Sequence, residues 1–146
     1  MILNRQRRIR IPIKRLGSFL ARAQKTLHLS SNSLTVCLVT NSQIAHWNRS
    51  YRGKPKPTDV LSFPAEAAPR PRPRISHKDI SSYLGDIAIA PAVARRNARR
   101  FRRSFDDEMR ILILHGILHL MGYDHETDAG QMDRRERHLR QTLGLA

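Results

Sequence analysis

The chain contains little cysteine and no long apolar run, and both absences narrow what it can be. Cys37 is the single cysteine among 146 residues, so no internal disulfide can form. Its place in the apolar run 34–39 predicts an inert, buried thiol. The N-terminal stretch is basic and is interrupted by Pro12, and it has no apolar run of signal-peptide or membrane-span length. We therefore expect a cytoplasmic protein with no membrane partner.

Acidic residues are also scarce over most of the chain. Residues 1–103 contain 22 Lys and Arg against 4 Asp and Glu, a net charge of +18, whereas residues 104–146 contain 5 against 8, a net charge of −3. This distribution suits a polyanion that is held by the first two-thirds of the chain and presented to a metal in the last third. The alternative is a set of solvated cationic faces without a ligand.

Three histidines have the spacing of a zinc site. His115 and His119 are about one helical turn apart, so both rings project from the same side of a helix and can bind one ion. Gly122 predicts a left-handed helix end, which would reverse the chain and bring His125 to the same ion. Three imidazoles leave the fourth position of a tetrahedral zinc open, as in catalytic sites. The alternative is a core helix whose histidines satisfy local hydrogen bonds, and nickel or copper would also accept three imidazoles.

The same spacing occurs in zinc peptidases with the signature H-E-x-x-H-x-x-G-x-x-H. This chain has Gly116 where that signature has glutamate as its general base, and glycine can neither take a proton nor orient a water molecule. A zinc peptidase is one alternative function, which Gly116 and the cationic first two-thirds of the chain oppose.

Hydrophobic periodicity predicts alternating strands and helices. Strands are expected within residues 2–11, where basic and apolar residues alternate at 8–11, and at 34–40, 59–63 and 85–90. Helices are expected from about residue 13 to 27, from 41 or 42 to about 51, from 91 to about 100, from 105 to 121 and from about 129 to 143. The expected N-terminal caps are Asn41 or Ser42, then Ser104, then Asp128. Residues 111–114 are apolar on every side, which predicts a buried central helix that holds metal ligands rigidly.

Further segments carry the positive charge. Residues 51–58 must form an exposed loop, because two prolines and a glycine exclude regular structure. In residues 64–79 prolines alternate with Arg70, Arg72 and Arg74. This composition fits two alternatives equally well, a disordered hairpin tip and an arm that binds phosphates. Four arginines share one face of the helix after Pro91 and are expected to bind RNA phosphates: Arg95, Arg96, Arg99 and Arg100.

Three blocks of the sequence resemble the YbeY-type endoribonucleases of bacterial rRNA maturation. They are residues 51–64 (YRGKPKPTDVLSFP), residues 84–87 (LGDI), and residues 115–125, which carry the three histidines and end in Tyr-Asp-His. The histidine block is the most specific of the three, and the first 30 residues add nothing specific. The chain departs from the family in its arginine-rich segments 70–74 and 95–103 and in a short C-terminus, which concern RNA binding and leave the metal site unchanged.

The resemblance implies a fold and an activity. The fold is a single α+β domain over residues 1–146, with a small mixed four-stranded sheet, about five helices and a central buried helix that carries the metal ligands. The activity is zinc-dependent cleavage of single-stranded RNA in small-subunit (16S) rRNA maturation and ribosome quality control, with one zinc ion per chain on His115, His119 and His125. Ribosomal RNA is the implied partner, and ribosomal proteins and a ribosome-assembly GTPase are further candidate partners.

The resemblance also implies a functional arginine at Arg52. A guanidinium can bind two oxygens of a phosphate as charge grows on them, so Arg52 and His115 are the catalytic candidates. The alternative for Arg52 is a solvated loop cation. Lys54 and Lys56 of the same loop join it as RNA-binding candidates. Asp124 either steadies a ligand imidazole or caps the local backbone.

Two questions stay open at this level. The nucleophile is either a water molecule activated by the metal or a ribose hydroxyl, with the metal acting as a Lewis acid on a phosphate oxygen. The second alternative function is a ribosome-assembly protein with a structural metal, which would bind RNA without cleaving it.

Overall fold

The computed structural model describes residues 1–54, 56–65, 83–124 and 126–145. Its elements are β1 (Ile2–Asn4), α1 (Ile13–Thr26), β2 (Leu34–Leu38), α2 (Asn41–Arg52), β3 (Val60–Pro64), β4 (Gly85–Ile89), α3 (Pro91–Arg100), α4 (Phe105–Leu120) and α5 (Gln131–Thr142). His125 and the segment with Arg70, Arg72 and Arg74 lie outside the described residues. Each helix in the described part of the chain is too short or too polar to cross a bilayer.

The four strands form one mixed sheet in the order β1-β2-β4-β3. β2 is parallel to both of its neighbours, β1 and β4, whereas β3 is antiparallel to β4. Leu34, Val36 and Leu38 alternate with less buried residues along β2, so one face of this strand is fully covered. Five helices and a mixed four-stranded sheet in the described residues confirm the predicted α+β fold.

Helix α4 is the buried centre of the molecule. It contacts β3, β4 and the helices α1, α3 and α5. The consecutive residues Ile111, Leu112, Ile113 and Leu114 are at most 6% exposed, which confirms the prediction that this stretch is covered on every side. The Ser104 hydroxyl accepts the Asp107 N–H at 3.0 Å and caps the helix as expected. A helix that is packed in this way fixes the direction of any side chain that projects from it.

The first strand, predicted within residues 2–11, covers only Ile2–Asn4, and residues 8–11 form no strand. Ile9 and Ile11 are buried, as the alternation indicates. However, the Gln6 side chain takes the place of a neighbouring strand, because its Oε1 accepts the Ile9 N–H at 2.9 Å and its Nε2 donates to the Ile9 carbonyl at 2.8 Å. The alternation therefore indicates correctly which residues are buried. It does not indicate a strand, because a side-chain amide forms the hydrogen bonds that a neighbouring strand would otherwise supply to the backbone.

Two helix starts differ from the predicted caps in detail. Thr40, and not Asn41 or Ser42, caps α2, since Thr40 has extended dihedral angles and its Oγ1 accepts the Gln43 N–H at 3.2 Å. Asp128 stabilises the start of α5 as expected, although it lies outside the helix: its Oδ2 accepts the Met132 N–H at 2.9 Å. Both starts follow the same rule, in which a short side-chain oxygen satisfies an unpaired amide.

Cys37 is half-buried rather than fully buried. Burial raises the pKa of its thiol, and the nearby Asp86 carboxylate raises it further. The thiol is therefore held in its protonated, poorly nucleophilic form, which agrees with the expectation that it is inert.

Candidate metal centre

His115 and His119 project from α4 with converging ring nitrogens. Their Nε2 atoms are 3.1 Å apart, and the rings stand edge to face with centroids at 4.6 Å. Two nitrogen ligands of a tetrahedral zinc ion, each about 2.0–2.1 Å from it, lie about 3.3 Å from one another. The separation also allows one imidazole to donate a hydrogen bond to the other. The pair thus fits two neighbouring positions around a metal ion.

Glu136 of α5 contacts His115 on the opposite side of its ring. Glu136 Oε1 lies 3.0 Å from His115 Nδ1, and its Oε2 accepts from Arg140 Nη2 at 2.8 Å. Burial alone would raise the pKa of Glu136, but the hydrogen bond with His115 and the charge of Arg140 outweigh it and hold the pKa below its ordinary value. The carboxylate is therefore ionised at neutral pH, and it is an acceptor for a proton on Nδ1.

Sequence reasoning did not identify Glu136. Its only signal is the four-residue spacing to Arg140, which ordinarily indicates an ion pair on a solvent-exposed helix face. Its contact with His115, 21 residues away, depends on how α5 packs against α4.

Gly122 ends α4 in the predicted left-handed conformation, with φ of 99°. Its N–H bonds the His119 carbonyl at 3.0 Å, and the Tyr123 N–H bonds the Leu118 carbonyl at 3.0 Å, the two bonds of a Schellman cap. The chain then turns away from the helix axis directly after the second histidine. The placement of His125 itself lies outside the described residues.

Asp124 is engaged with the backbone of this turn. Its Oδ1 accepts the Glu126 N–H at 3.0 Å, and its carbonyl accepts the Asp128 N–H at 3.0 Å. Of the two roles considered for Asp124, these contacts correspond to local capping. The carboxylate that contacts His115 is that of Glu136.

Across residues 1–54, 56–65, 83–124 and 126–145, no three His, Cys, Asp or Glu side chains are grouped so that they could hold a metal ion. His125 lies outside this part of the chain, so the three-histidine site stays a prediction. His28, His46 and His138 are exposed on other parts of the surface.

Gly116 lies against the sheet. A β-carbon at this position would be 2.8 Å from Cγ2 and 2.9 Å from Cδ1 of Ile87, which is fully buried. The Gly116 carbonyl accepts the Ser62 hydroxyl at 3.1 Å. No glutamate side chain fits here, so the position that holds the general base in zinc peptidases is closed by packing.

Helix α2 extends through Arg52, so the loop predicted at residues 51–58 begins only at Gly53. The end of the helix and this loop present three exposed cations, Arg52, Lys54 and Lys56. Gly53, with φ of 67°, ends the helix. Asn48 is 5% exposed and anchors the loop, since its Nδ2 donates to the Lys56 carbonyl at 2.9 Å and its own carbonyl accepts the Lys54 N–H at 3.3 Å. Sequence reasoning missed Asn48, whose only signal is a polar residue on the apolar face of α2.

Arg52 reaches the segment that follows the histidines. Its Nη2 lies 3.5 Å from Glu126 Oε1, and the two side chains are 46% and 62% exposed. This distance is at the outer limit for a hydrogen bond, and exposed pairs of this kind contribute about 0–1 kcal/mol. Glu126 directly follows His125 in the sequence. The guanidinium can therefore exchange Glu126 for a phosphate at little cost.

Helix α3 buries one side and exposes its arginines on the other. The buried residues are Pro91, Val93, Ala94 and Ala98. The exposed arginines are Arg95, Arg96, Arg99 and Arg100, and none of them forms an ion pair within the described part of the chain. By contrast, Arg103 is bonded to the buried Glu108 at 2.8 Å. These four exposed arginines are called the α3 arginine face below, whereas Arg103 is structural.

Comparison with known proteins gives one consistent result. The sequence model of the family described as Endoribonuclease YbeY matches residues 1–144. The Endoribonuclease YbeY of Koribacter versatilis is 37% identical over 145 residues, which cover 99% of this chain and 86% of the relative. That of Nautilia profundicola is 41% identical over 117 residues, or 80% and 76% of the two chains. The solution structure of a Thermotoga maritima protein has a TM-score of 0.62 and 28% identity, and the match covers 98% of this chain and 89% of that one.

Proposed function

This chain belongs to the YbeY family of endoribonucleases, and on that premise we propose that it is a zinc-dependent enzyme that cleaves single-stranded RNA in small-subunit rRNA maturation. The observation that carries the metal part of the proposal is the 3.1 Å separation of the Nε2 atoms of His115 and His119. Glu136 supports the same reading, because metal-bound histidines usually donate their other ring N–H to a carboxylate or carbonyl. His125 completes the proposed ligand set.

When bound, the zinc ion would supply Lewis acidity at a phosphate oxygen and would lower the pKa of a water molecule. The residues of the chain have separate tasks around it. His115 and His119 direct neutral imidazole nitrogens to a common point, and Glu136 keeps a proton on His115 Nδ1. Arg52 binds two oxygens of the scissile phosphate with its planar fork as their negative charge increases.

RNA is also a less demanding substrate for this site than a peptide. The ribose hydroxyl is covalently held next to the phosphorus, and this proximity can offset a large part of the barrier. Peptide cleavage would need a base and later an acid for a poor leaving group. Position 116, where a zinc peptidase keeps that base, is filled by the Ile87 side chain.

Charge supports the choice of a polyanionic substrate. Arg52 at the end of α2 and Lys54 and Lys56 in the loop after it are exposed, and the α3 arginine face adds four cations on one side of one helix. The net charge of +18 over residues 1–103 would attract RNA over a distance of about 10 Å at ordinary ionic strength. The preference for single strands, the role in ribosome quality control, the ribosomal-protein and GTPase partners and the cytoplasmic location rest on the family resemblance.

The test compares the parent, His115→Ala and His138→Ala, purified identically. Each is incubated with a single-stranded RNA, the same RNA in duplex form, and casein, with and without a zinc chelator. We expect the parent and His138→Ala to cleave the single-stranded RNA but neither the duplex nor casein. The chelator should stop this cleavage and added zinc should restore it. His115→Ala should be inactive. Equal RNA loss with parent and His115→Ala would favour the non-cleaving assembly protein, and casein hydrolysis that disappears with His115 would favour the peptidase.

A further inference from the structure

We propose that Glu136 is a positioning residue for the metal centre, which fixes the tautomer and direction of the His115 ring, and that Arg140 holds Glu136 in place. This inference rests on the proposed function, since it assigns a role toward the same metal. It adds two residues of α5 to a site whose described histidines, His115 and His119, belong to α4.

The hydrogen-bond chemistry of the contact determines the tautomer. An ionised carboxylate can only accept, so a bond between Glu136 Oε1 and His115 Nδ1 at 3.0 Å requires the proton to be on Nδ1. The Nε2 atom of His115 then carries the lone pair, and this is the atom that lies 3.1 Å from His119 Nε2. Glu136 therefore selects the form of His115 that can bind a metal through Nε2.

Arg140 restricts the carboxylate in turn. Its Nη2 bonds Glu136 Oε2 at 2.8 Å, so the two carboxylate oxygens are committed to two different partners. Glu136 and Arg140 are one turn apart on α5, in the favourable order with the acidic residue first. With both oxygens engaged, rotation of the carboxylate would break one of the two bonds.

Buried apolar side chains also hold α5 in place, apart from this contact. Met132 and Leu139 of α5 are each 1% exposed, and Leu143 directly after it is 6% exposed. These apolar side chains belong to the main core, which holds α5 against the rest of the molecule. Substitution of Glu136 should therefore change the metal centre while the helix stays in place.

The first experiment measures the zinc dissociation constant of the full chain by competition with a chromophoric chelator. The variants are Glu136→Ala, Glu136→Gln, Arg140→Ala and the control Asp133→Asn, which neutralises an exposed carboxylate of the same helix. We expect Glu136→Ala to weaken zinc binding by about 10- to 100-fold. Glu136→Gln should lose less zinc affinity, because an amide oxygen can still accept a hydrogen bond from Nδ1. The zinc affinity of Arg140→Ala should lie between those of the parent and Glu136→Ala.

Asp133→Asn should bind zinc like the parent, and the melting temperatures of the metal-free variants should stay close together. Equal zinc affinity of the parent and Glu136→Ala would overturn the positioning role, and equal affinity of the parent and Arg140→Ala would overturn the part assigned to Arg140. A loss of affinity matched by Asp133→Asn would show a general effect of charge, which also contradicts the proposal.

The second experiment needs no metal. ¹⁵N NMR of the imidazoles in the metal-free parent, at a pH where His115 is neutral, should show the proton on Nδ1, and Glu136→Ala should shift it toward Nε2. A parent with the proton on Nε2 would overturn the inference whatever the zinc result. A parent that binds no zinc but shows the Nδ1 tautomer would instead refute the proposed metal-dependent function, so the two failures are distinguishable.

Discussion

Gly116 and Ile87 are in such close contact that a methyl group added to the glycine would lie 2.8 Å from Ile87 Cγ2. Ile87 is fully buried in β4 and pairs with Ser62 of β3 in the register that places the Ser62 hydroxyl on the Gly116 carbonyl. Glycine in a helix costs about 1 kcal/mol relative to alanine. Here it allows α4 to approach the sheet, and that approach sets the depth at which the neighbouring His115 lies.

The contact predicts that the effect of Gly116→Ala on the free energy of unfolding changes sign when the Ile87 side chain is removed. Gly116→Ala should gain about 1 kcal/mol from helix propensity and lose about 1–3 kcal/mol from overpacking, a net loss of about 1 kcal/mol in the free energy of unfolding. In an Ile87→Ala background the clash disappears, and the same substitution should be stabilising. Ile87→Val is the matched control, because valine keeps both γ-carbons and hence the clash. Urea denaturation measures the effect of Gly116→Ala in all three backgrounds, and an equal effect in each would contradict the packing explanation.

Zinc content should depend on three histidines. Metal analysis of the purified parent should give one zinc per chain, whereas His119→Ala and His125→Ala should lose most of it because two imidazoles hold zinc poorly without the third. His46→Ala, which removes an exposed imidazole from α2, should retain it. Full zinc in His119→Ala, or loss in His46→Ala, would place the metal elsewhere.

Arg52→Ala should reduce RNA cleavage by at least about tenfold, the scale of a lost transition-state contact. Zinc content and stability should not change, because the contact of Arg52 with Glu126 is long and exposed. Arg49→Ala removes an exposed guanidinium from the same helix and should cut RNA like the parent. Arg52→Lys should be intermediate, since lysine keeps the charge and loses the fork. Equal rates for all four proteins would make Arg52 a surface charge.

RNA affinity should fall steeply with salt, because each phosphate contact on a single strand adds a slope of about −0.7. Changing the α3 arginine face to glutamine should flatten that slope by roughly two to three units and leave zinc in place. The control changes four exposed cations near the N-terminus instead: Arg7, Arg8, Arg10 and Lys14. If both sets flatten the slope equally, RNA binding follows total charge; if neither does, the contacts lie on other residues such as Arg70, Arg72 and Arg74.

Cys37 should react slowly with iodoacetamide. Burial, with the charge of Asp86, raises the pKa of the thiol, so less thiolate is present near neutral pH than in the unfolded chain. The raised pKa favours folding below the thiol's ordinary pKa of about 8.5, and this contribution is lost as pH rises through the folded value. Alkylation rates at pH 7 to 9, compared with the same protein in urea, measure the effect. Equal rates in the two states would contradict it.

Much of the central helix was predictable because its signals are local. The cap at Ser104, the apolar residues 111–114, the one-turn spacing of His115 and His119 and the left-handed end at Gly122 all depend on neighbours within about one turn. The exposure of the α3 arginine face follows from the same periodicity. The three-histidine ligand set and the role of residues 70–74 stay predictions, because they include residues outside the described part of the chain.

Only the tertiary structure decided which distant groups meet. Glu136 contacts His115 because α5 packs on α4, and Gly116 contacts Ile87 because α4 lies on β4. At residues 8–11 a local contact is decisive instead, because the Gln6 amide bonds the backbone of Ile9, three residues away, where a strand would bond its neighbour. The periodicity of apolar residues along a chain indicates which face of a helix or strand is buried. It does not indicate which other element covers that face, because the covering element is determined by how the side chains of separate elements pack together.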